Sequence, residues 1–382
     1  MFIFRSFSRQ TNIFSAPVDD FAIACESETI AKDFVHVIDN KMSISIKYLG
    51  LLTRFNGVDI EQSRRTIKIH SATYIKKILR EHDWLNTSRP CHTFPIPIKS
   101  EPTYSRTLEQ AKSPTLDKDK SALQRQMKFN YRQAIGALIY CMVTTRPDIS
   151  FPLIKLSQYS TNPAREHYEA VKDIFHYLAC TINDGIHYWR PSPEPSLEPS
   201  NESFDVETSA SEATIQDQSH AMKSASDADW GGDTNHRRLV TGFVVKLAGG
   251  AVYYKTRFQP VIALSSTEAE FYAATEAGKS ILYIRSILQE INLEQKQASV
   301  LHIDNNGALN MANQRQPTKY TRHIDIRHFA IQDWVESDLL LLRRICSTSN
   351  YSDALTKPMG RTLHHKHMDY IMGRVCPTYA DV

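Results

Sequence analysis

Residues Val261–Ser280 read VIALSSTEAEFYAATEAGKS, and the fold of the C-terminal half is decided there. Val261 to Leu264 is a short, partly β-branched apolar run that predicts a buried strand. Ser265, Ser266 and Thr267 each suit a helix N-cap, and acids crowd the turn that follows. Ala273, Ala274 and Ala277 give this helix a small-residue face able to lie close against a sheet. A strand that runs straight into a helix bearing an early carboxylate is a good mount for a metal ligand. Glu268 and Glu270 stand roughly 200° apart around such a helix, so only one of them faces a given site. Taken alone, both also serve as ordinary first-turn acids that complement the helix dipole.

Their company narrows the choice. Asp227 lies upstream in SDADWGGD, Asp304 downstream in LHIDNNGA, and Asp353 further on in NYSDALTKP. Asp304 ends the apolar run Val300 to Ile303 and precedes Asn305-Asn306-Gly307, which places it at a strand terminus. Four carboxylates at strand ends and helix starts match hard divalent cations, which take oxygen ligands.

These phrases, together with RRLVTGFVV, ALSSTEAEFYAA, RHIDIRHF and SDALTKP, make residues 223–360 resemble the ribonuclease H domain of a copia-type (Pseudoviridae-like) retrotransposon polyprotein. The resemblance implies that Asp227, Glu270, Asp304 and Asp353 are both the metal-binding and the catalytic carboxylates, with Asp229 and Glu268 as live alternatives. It further implies two Mg²⁺ ions, with Mn²⁺ as a substitute, and an RNA–DNA hybrid as substrate. Asp227 would bridge the ions or lie between them, with Glu270 and Asp304 on one and Asp353 on the other, for an in-line displacement at the RNA strand. Lys319, Arg322 and Arg327 are candidate phosphate contacts. His323 and His328 diverge by about 140° on a helix and do not form a metal pair.

The 382 residues exceed the usual size of a single core, so more than one domain is expected. No apolar run approaches the ~18–20 residues of a membrane span, and MFIFRSFSRQ lacks the pattern of a signal peptide. Cys25, Cys91, Cys141, Cys180, Cys346 and Cys376 form no CxxC pair, which argues against a zinc site and against a disulfide framework, and favours a reducing compartment. The implied location is cytoplasmic, within a virus-like particle, or nuclear, and not secreted. The net charge of +3 is uneven. Residues 191–222 carry Glu194, Glu198, Glu202, Asp205, Glu207, Glu212 and Asp217 without a Lys or Arg, leaving the remainder basic enough for a phosphate-backbone partner.

Taken in order, residues 1–13 read as a divergent lead-in. Residues 14–190 resemble the C-terminal part of a copia-type reverse transcriptase, from the palm end through the thumb and connection. There PVDDFAIAC places Asp19 and Asp20 where that family has its polymerase pair, as vestigial carboxylates. Pro17 replaces the usual aromatic residue and sits poorly in a paired strand. The third polymerase aspartate and the fingers would precede Met1, so no polymerisation is expected. A helix is predicted around Glu26 to Asn40, a strand at Ile44 to Tyr48, a hairpin or loop at Asn56-Gly57, a strand at Thr66 to His70 and a helix at Thr73 to His82. Residues 87–125, with Pro90, Pro95, Pro97 and Pro102, read as a loop or mobile segment. Three helices and a strand follow to residue 190, their aromatic residues assigned to the core. Residues 191–222 read as a disordered acidic linker between two independently folded pieces.

In residues 223–360 the predicted order is a strand ending near Asp227, strands at Thr241 to Lys246, Ala251 to Lys255 and Val261 to Leu264, and the Glu270 helix. A strand at 299–303, helices near 306–313 and 322–336, a strand at 339–345 and a helix from about Asp353 follow, with residues 361–382 as a C-terminal helix and tail. The fold class expected is α/β and α+β: a truncated reverse-transcriptase palm and thumb-connection region plus a ribonuclease H-like mixed sheet flanked by helices. The function implied is that of a ribonuclease H-type endonuclease, with the remaining retrotransposon polyprotein as a further partner and no membrane. A different class stays open at this stage: an inactive element relic or a nucleic-acid-binding remnant.

Overall fold

The computed structural model describes residues 2–5, 11–15, 22–25, 27–42, 47–84, 95, 101–190, 222–229, 239–260, 263, 265–313 and 325–375. The linker 191–222, apart from Met222, therefore lies outside the described residues, as do Asp19, Asp20 and residues 43–46 of the expected strand Ile44 to Tyr48.

Strands β1 (Phe2–Arg5), β2 (Thr11–Ser15) and β3 (Ala22–Ala24) form a small antiparallel sheet, followed by helix α1 (Glu28–Met42). A second antiparallel sheet holds β4 (Arg54–Phe55), β5 (Val58–Gln62), β6 (Thr66–His70) and, later in the chain, β7 (Gly185–Trp189). Asn56 and Gly57 join β4 to β5 with φ of 49° and 80°. Two consecutive positive φ values are what a two-residue hairpin turn matched to strand twist requires. A Cβ on Gly57 would also stand 2.7 Å from the Tyr140 hydroxyl.

Between β6 and β7 comes a helical cluster: α2 (Ala72–Glu81), α3 (Glu101–Gln110), α4 (Asp117–Met127), α5 (Tyr131–Thr144), α6 (Ser150–Ser157) and α7 (Arg165–Cys180). Ile75, Leu79, Leu138, Leu153, Ile174 and Phe175 are among its buried centre. Tyr131, Tyr168 and Tyr177 are buried with them, as the core reading of these aromatics expects. Helices α3 and α4 correct the reading of 87–125 as a loop from residue 101 onward, while residues 87–94 and 96–100 lie outside the described residues. Pro102 falls in the first turn of α3, where its missing N–H costs nothing, and Pro114 falls between the two helices. The sparse apolar residues Leu108 and Met127 are enough to seat them, since both are buried in the cluster.

The C-terminal sheet has five strands in the order β10-β9-β8-β11-β12: β8 (Lys223–Asp229), β9 (Val240–Leu247), β10 (Gly250–Phe258), β11 (Ser299–Ile303) and β12 (Leu340–Arg344). Strands β8, β9 and β10 are antiparallel neighbours, and β11 lies parallel to both β8 and β12. The order is a mixed sheet flanked by helices, the one that the ribonuclease H resemblance implies. Helix α8 (Ser266–Glu290) packs Phe271, Ala274, Ala277 and Ile281 on one face, against Phe243, Val245, Leu301 and Ile303. Alternate residues Ala225 and Val244 face the other way. Helices α9 (Asn306–Asn313), α10 (Asp325–Glu336) and α11 (Arg361–Ile371) complete the fold.

Two expectations change here. Ala263 is in no strand, and the rest of the expected strand Val261 to Leu264 lies outside the described residues; β8 completes the antiparallel set. Asp353 starts no α-helix but sits in a 3₁₀ turn, Tyr351–Leu355, with α11 beginning only at Arg361. Pro358 follows that turn closely and disfavours helix in the residue before it.

The two halves are in contact. Ile186 of β7 shares one apolar cluster with Ala225, Val244, Ala251, Leu355 and Met372. The backbone N–H groups of His187 and Trp189 donate to the Met372 and Ala248 carbonyls, each at 2.8 Å. The hydroxyl of Tyr254 in β10 reaches the Met142 carbonyl at 2.6 Å. Among the described cysteines, Cys25, Cys141 and Cys346 are free, whereas Cys180 is disulfide-bonded, a departure from the expectation of reduced thiols. No helix among the described residues is long and apolar enough to cross a membrane.

Candidate metal centre

Three different elements deliver the carboxylates. Asp227 is an interior residue of β8, two positions before its end. Asp304 directly follows the last residue of β11, the strand parallel to β8, so the two arrive at the same end of neighbouring central strands. Glu270 projects from the start of α8, whose N-cap Ser265 accepts the Glu268 N–H at 3.1 Å. Carboxylate oxygens of Asp227, Glu270 and Asp304 all lie within 4.8 Å of one another. Asp227 is 1 % exposed, Glu270 6 % and Asp353 7 %, while Asp304 is half-buried.

The fourth acid comes from the 3₁₀ turn, which is pinned to β8 from both ends. The Asn350 side chain donates to the Ser226 carbonyl at 3.3 Å, and the Thr356 hydroxyl donates to Asp227 Oδ2. The turn can approach because Gly242, the β9 partner of Asp227, has no side chain. A Cβ there would stand 2.5 Å from Thr356 Cγ2 and 2.9 Å from Leu355 Cβ. Asp353 does not join the close triad. Its link to Asp227 is the Lys357 ammonium, 2.9 Å from Asp353 Oδ2 and 3.5 Å from Asp227 Oδ1.

This packing is electrostatically costly. Burial, and then the charges of Asp227 and Asp304, hold the Glu270 carboxyl well above the usual carboxylate range. Burial, then Asp227, push Asp353 up to about 8 despite the opposing pull of Lys357. For Lys357 itself, Asp227 and Asp353 outweigh burial and hold its charge on. Two oxygens, Glu270 Oε2 and Asp353 Oδ1, are buried without a hydrogen-bond partner. Like charges crowded at low dielectric, with acceptors to spare, are what an oxygen-ligated divalent cation would relieve. The donor set therefore fits a hard divalent metal.

Of the other residues singled out in the sequence, Asp229 is half-buried at the end of β8, with its carboxyl raised by burial and pulled back by Lys155 of α6. Glu268 is half-buried in the first turn of α8 and is not part of the triad. Lys319 and Arg322 lie outside the described residues, and Arg327 is in α10 with its side chain outside them. Sequence reasoning missed Asn350, Thr356, Lys357 and Gly242. The signal for Lys357 was present, since it stands four residues beyond Asp353 and carries the opposite charge.

No protein-family model matches the chain. It is 30 % identical over 325 residues to a retrovirus-related Pol polyprotein from transposon TNT 1-94 of Nicotiana tabacum, a match covering 85 % of this chain and 22 % of the relative. It is 28 % identical over 348 residues to the corresponding polyprotein from transposon RE1 of Arabidopsis thaliana, covering 90 % and 20 %. Among solved structures, LC11 ribonuclease H1 in complex with an RNA/DNA hybrid covers 35 % of this chain and 93 % of its own, at 12 % identity and a TM-score of 0.28, too low to bear weight. The chain spans about a fifth of the length of the curated polyproteins it matches. Over that stretch, with its fourfold carboxylate pattern and mixed sheet, it belongs to the copia-type retrotransposon Pol family.

Proposed function

We propose that the chain is a ribonuclease H-type endonuclease that hydrolyses the RNA strand of RNA–DNA hybrids. The observation that carries this reading is the triad of Asp227, Glu270 and Asp304, delivered by two parallel central strands and a helix to one end of the sheet. Asp227, Glu270 and Asp304 would hold one divalent ion, and Asp227 with Asp353 a second, as Mg²⁺ or Mn²⁺. Bound there, the metal supplies an acidified water and charge neutralisation at the phosphate. The protein's own part is to fix the ligands. Thr356 holds Asp227 by a hydrogen bond, and Asn350 anchors the turn that carries Asp353. Water adds to phosphorus, the bond to the 3′ oxygen breaks, and the products carry 5′-phosphate and 3′-hydroxyl ends. Selection of RNA would rest on its 2′-hydroxyl groups, met across the minor groove. Lys319, Arg322 and Arg327 are proposed to meet the phosphate backbone, and the wider Pol polyprotein is the proposed assembly partner. Its proposed setting is a virus-like particle in the cytoplasm, or the nucleus. Polymerisation is not part of the proposal.

The test is the full chain with a labelled RNA–DNA hybrid, in Mg²⁺ and in EDTA. Cutting of the RNA strand alone, dependent on Mg²⁺, is expected. Asp304→Asn should lower it by about 10²-fold or more, since metal sites respond on that scale even to changes in their outer partners. A folded chain that binds the hybrid and leaves it uncut would replace the enzyme by a nucleic-acid-binding remnant. Undiminished cutting by Asp304→Asn would remove the site assignment.

A further inference from the structure

The four carboxylates are not equivalent. Asp227, Glu270 and Asp304 converge on one point, and Lys357 approaches Asp227 and Asp353 instead. The two oxygens of Asp227 are divided in a matching way: Oδ2 accepts from Thr356, and Oδ1 faces the ammonium. Thr356 is buried and tied to Asp227, and the Lys357 N–H donates to the Asp353 carbonyl at 3.0 Å, so the stem of Lys357 leaves from a fixed point. The head is less constrained. Its side chain is 35 % exposed, so it can swing towards solvent without opening the core.

We infer that Lys357 is a built-in counter-cation, occupying the Asp227–Asp353 half of the cluster until a second divalent ion displaces it. This rests on the metal-centre reading above and adds an order of filling to it. An ammonium and a divalent ion cannot both sit between the same two carboxylates, because they would repel each other at contact distance with only two negative charges to share. The triad half, which Lys357 does not bridge, is free to take the first ion. Without nucleic acid the chain therefore holds one divalent ion. A scissile phosphate adds negative charge of its own, which favours the second ion and gives the displaced ammonium a new partner. The second ion is thus admitted together with substrate, and an empty enzyme does not carry a fully armed pair.

Mn²⁺ binding to the full chain without nucleic acid tests this, by calorimetry for stoichiometry and by electron paramagnetic resonance for a spin-coupled pair. The wild type should bind one ion tightly and show an isolated Mn²⁺ signal. Lys357→Met and Lys357→Gln, either of which suffices if the other fails to fold, should bind a second ion about tenfold or more tightly than the wild type does, with a coupled-pair signal. Lys357→Arg, which keeps the charge, should behave as the wild type. Two neutral variants that match the wild type in stoichiometry and signal would overturn the role of Lys357 and leave the metal centre standing. A wild type that binds no Mn²⁺ would overturn both.

Discussion

Two of the buried charge clusters among the described residues are built on opposite terms. In the helical region Arg146 and Asp148 are both fully buried, with Arg146 donating through Nε and Nη2 to the carboxylate at 2.9 Å and 2.7 Å. Tyr177 donates to the same carboxylate at 2.5 Å, and the remaining guanidinium donors reach the Thr181 carbonyl and hydroxyl. Burial alone would raise the Asp148 carboxyl, but Arg146 overrides it and holds it down at about 2. In the sheet region Asp227 and Asp353 share one ammonium, Glu270 and Asp304 crowd against Asp227 without one, and two oxygens have no partner. One cluster is closed and neutral, so it belongs to the architecture. The other is open and anionic, so it needs something from outside. Burial by itself does not separate a structural charge from a functional one; completeness does.

The sharpest way to break this contrast is to open the closed cluster. Asp148→Asn leaves the Arg146 charge buried without its counter-ion and should cost about 3–5 kcal/mol of stability, read from urea unfolding of the full chain. A loss under about 1 kcal/mol would mean that Thr181 and Tyr177 suffice for the guanidinium, and that the cluster is not closed by charge.

Acid offers a second probe of the same region. His364 of α11 is buried, with Asp148 the nearest acidic influence, and desolvation pushes its imidazole down to about 4. Its folded value is depressed below the unfolded 6.5, so the unfolded state takes up the proton first. The stability that neutral His364 provides is complete above pH 6.5, is lost as pH falls towards about 4, and falls no further below that. A pH dependence across this window that is the same in the wild type and in His364→Gln would show that the imidazolium keeps a partner in the folded chain.

The smallest effect, and the one opposite in sign, belongs to the open cluster. Glu270→Gln removes a carboxyl whose ionisation the fold disfavours, so in EDTA it should stabilise the chain by about 1 kcal/mol, measured as a raised thermal midpoint. Added Mg²⁺ should stabilise the wild type more than this variant. If Glu270→Gln destabilises the metal-free chain, the cluster is not under electrostatic load.

How far the sequence could be read follows the same division. Local signals served well: Thr66–His70 and Ser299–Ile303 form strands with the expected bounds, and Asn56-Gly57 turns a hairpin. The four carboxylates were singled out by the resemblance to a copia-type ribonuclease H domain, since spacing alone left Asp229 and Glu268 open. What spacing could not show was closeness between distant segments. Asp353 was readable as an acid, but its distance from the triad depends on Gly242 and Thr356, which meet only in three dimensions. Helices α3 and α4 were hidden because prolines weigh heavily in a local reading, while two buried side chains decide the matter. The disulfide at Cys180 leaves no mark in spacing at all.

Strand β7 has a consequence for how the protein can be made and cut. It hydrogen-bonds to β6 along one side, and its Trp189 indole N–H reaches the Gly373 carbonyl at 2.8 Å. Arg374 pairs at 2.9 Å with Asp184, the residue immediately before the strand. The chain's far end is thereby fastened to its middle without help from the segment that joins them. Scission anywhere between Arg190 and Met222 should leave the two products as one particle on a sizing column. Two polypeptides made separately, divided at that point, should find each other in solution and restore whatever the continuous chain does.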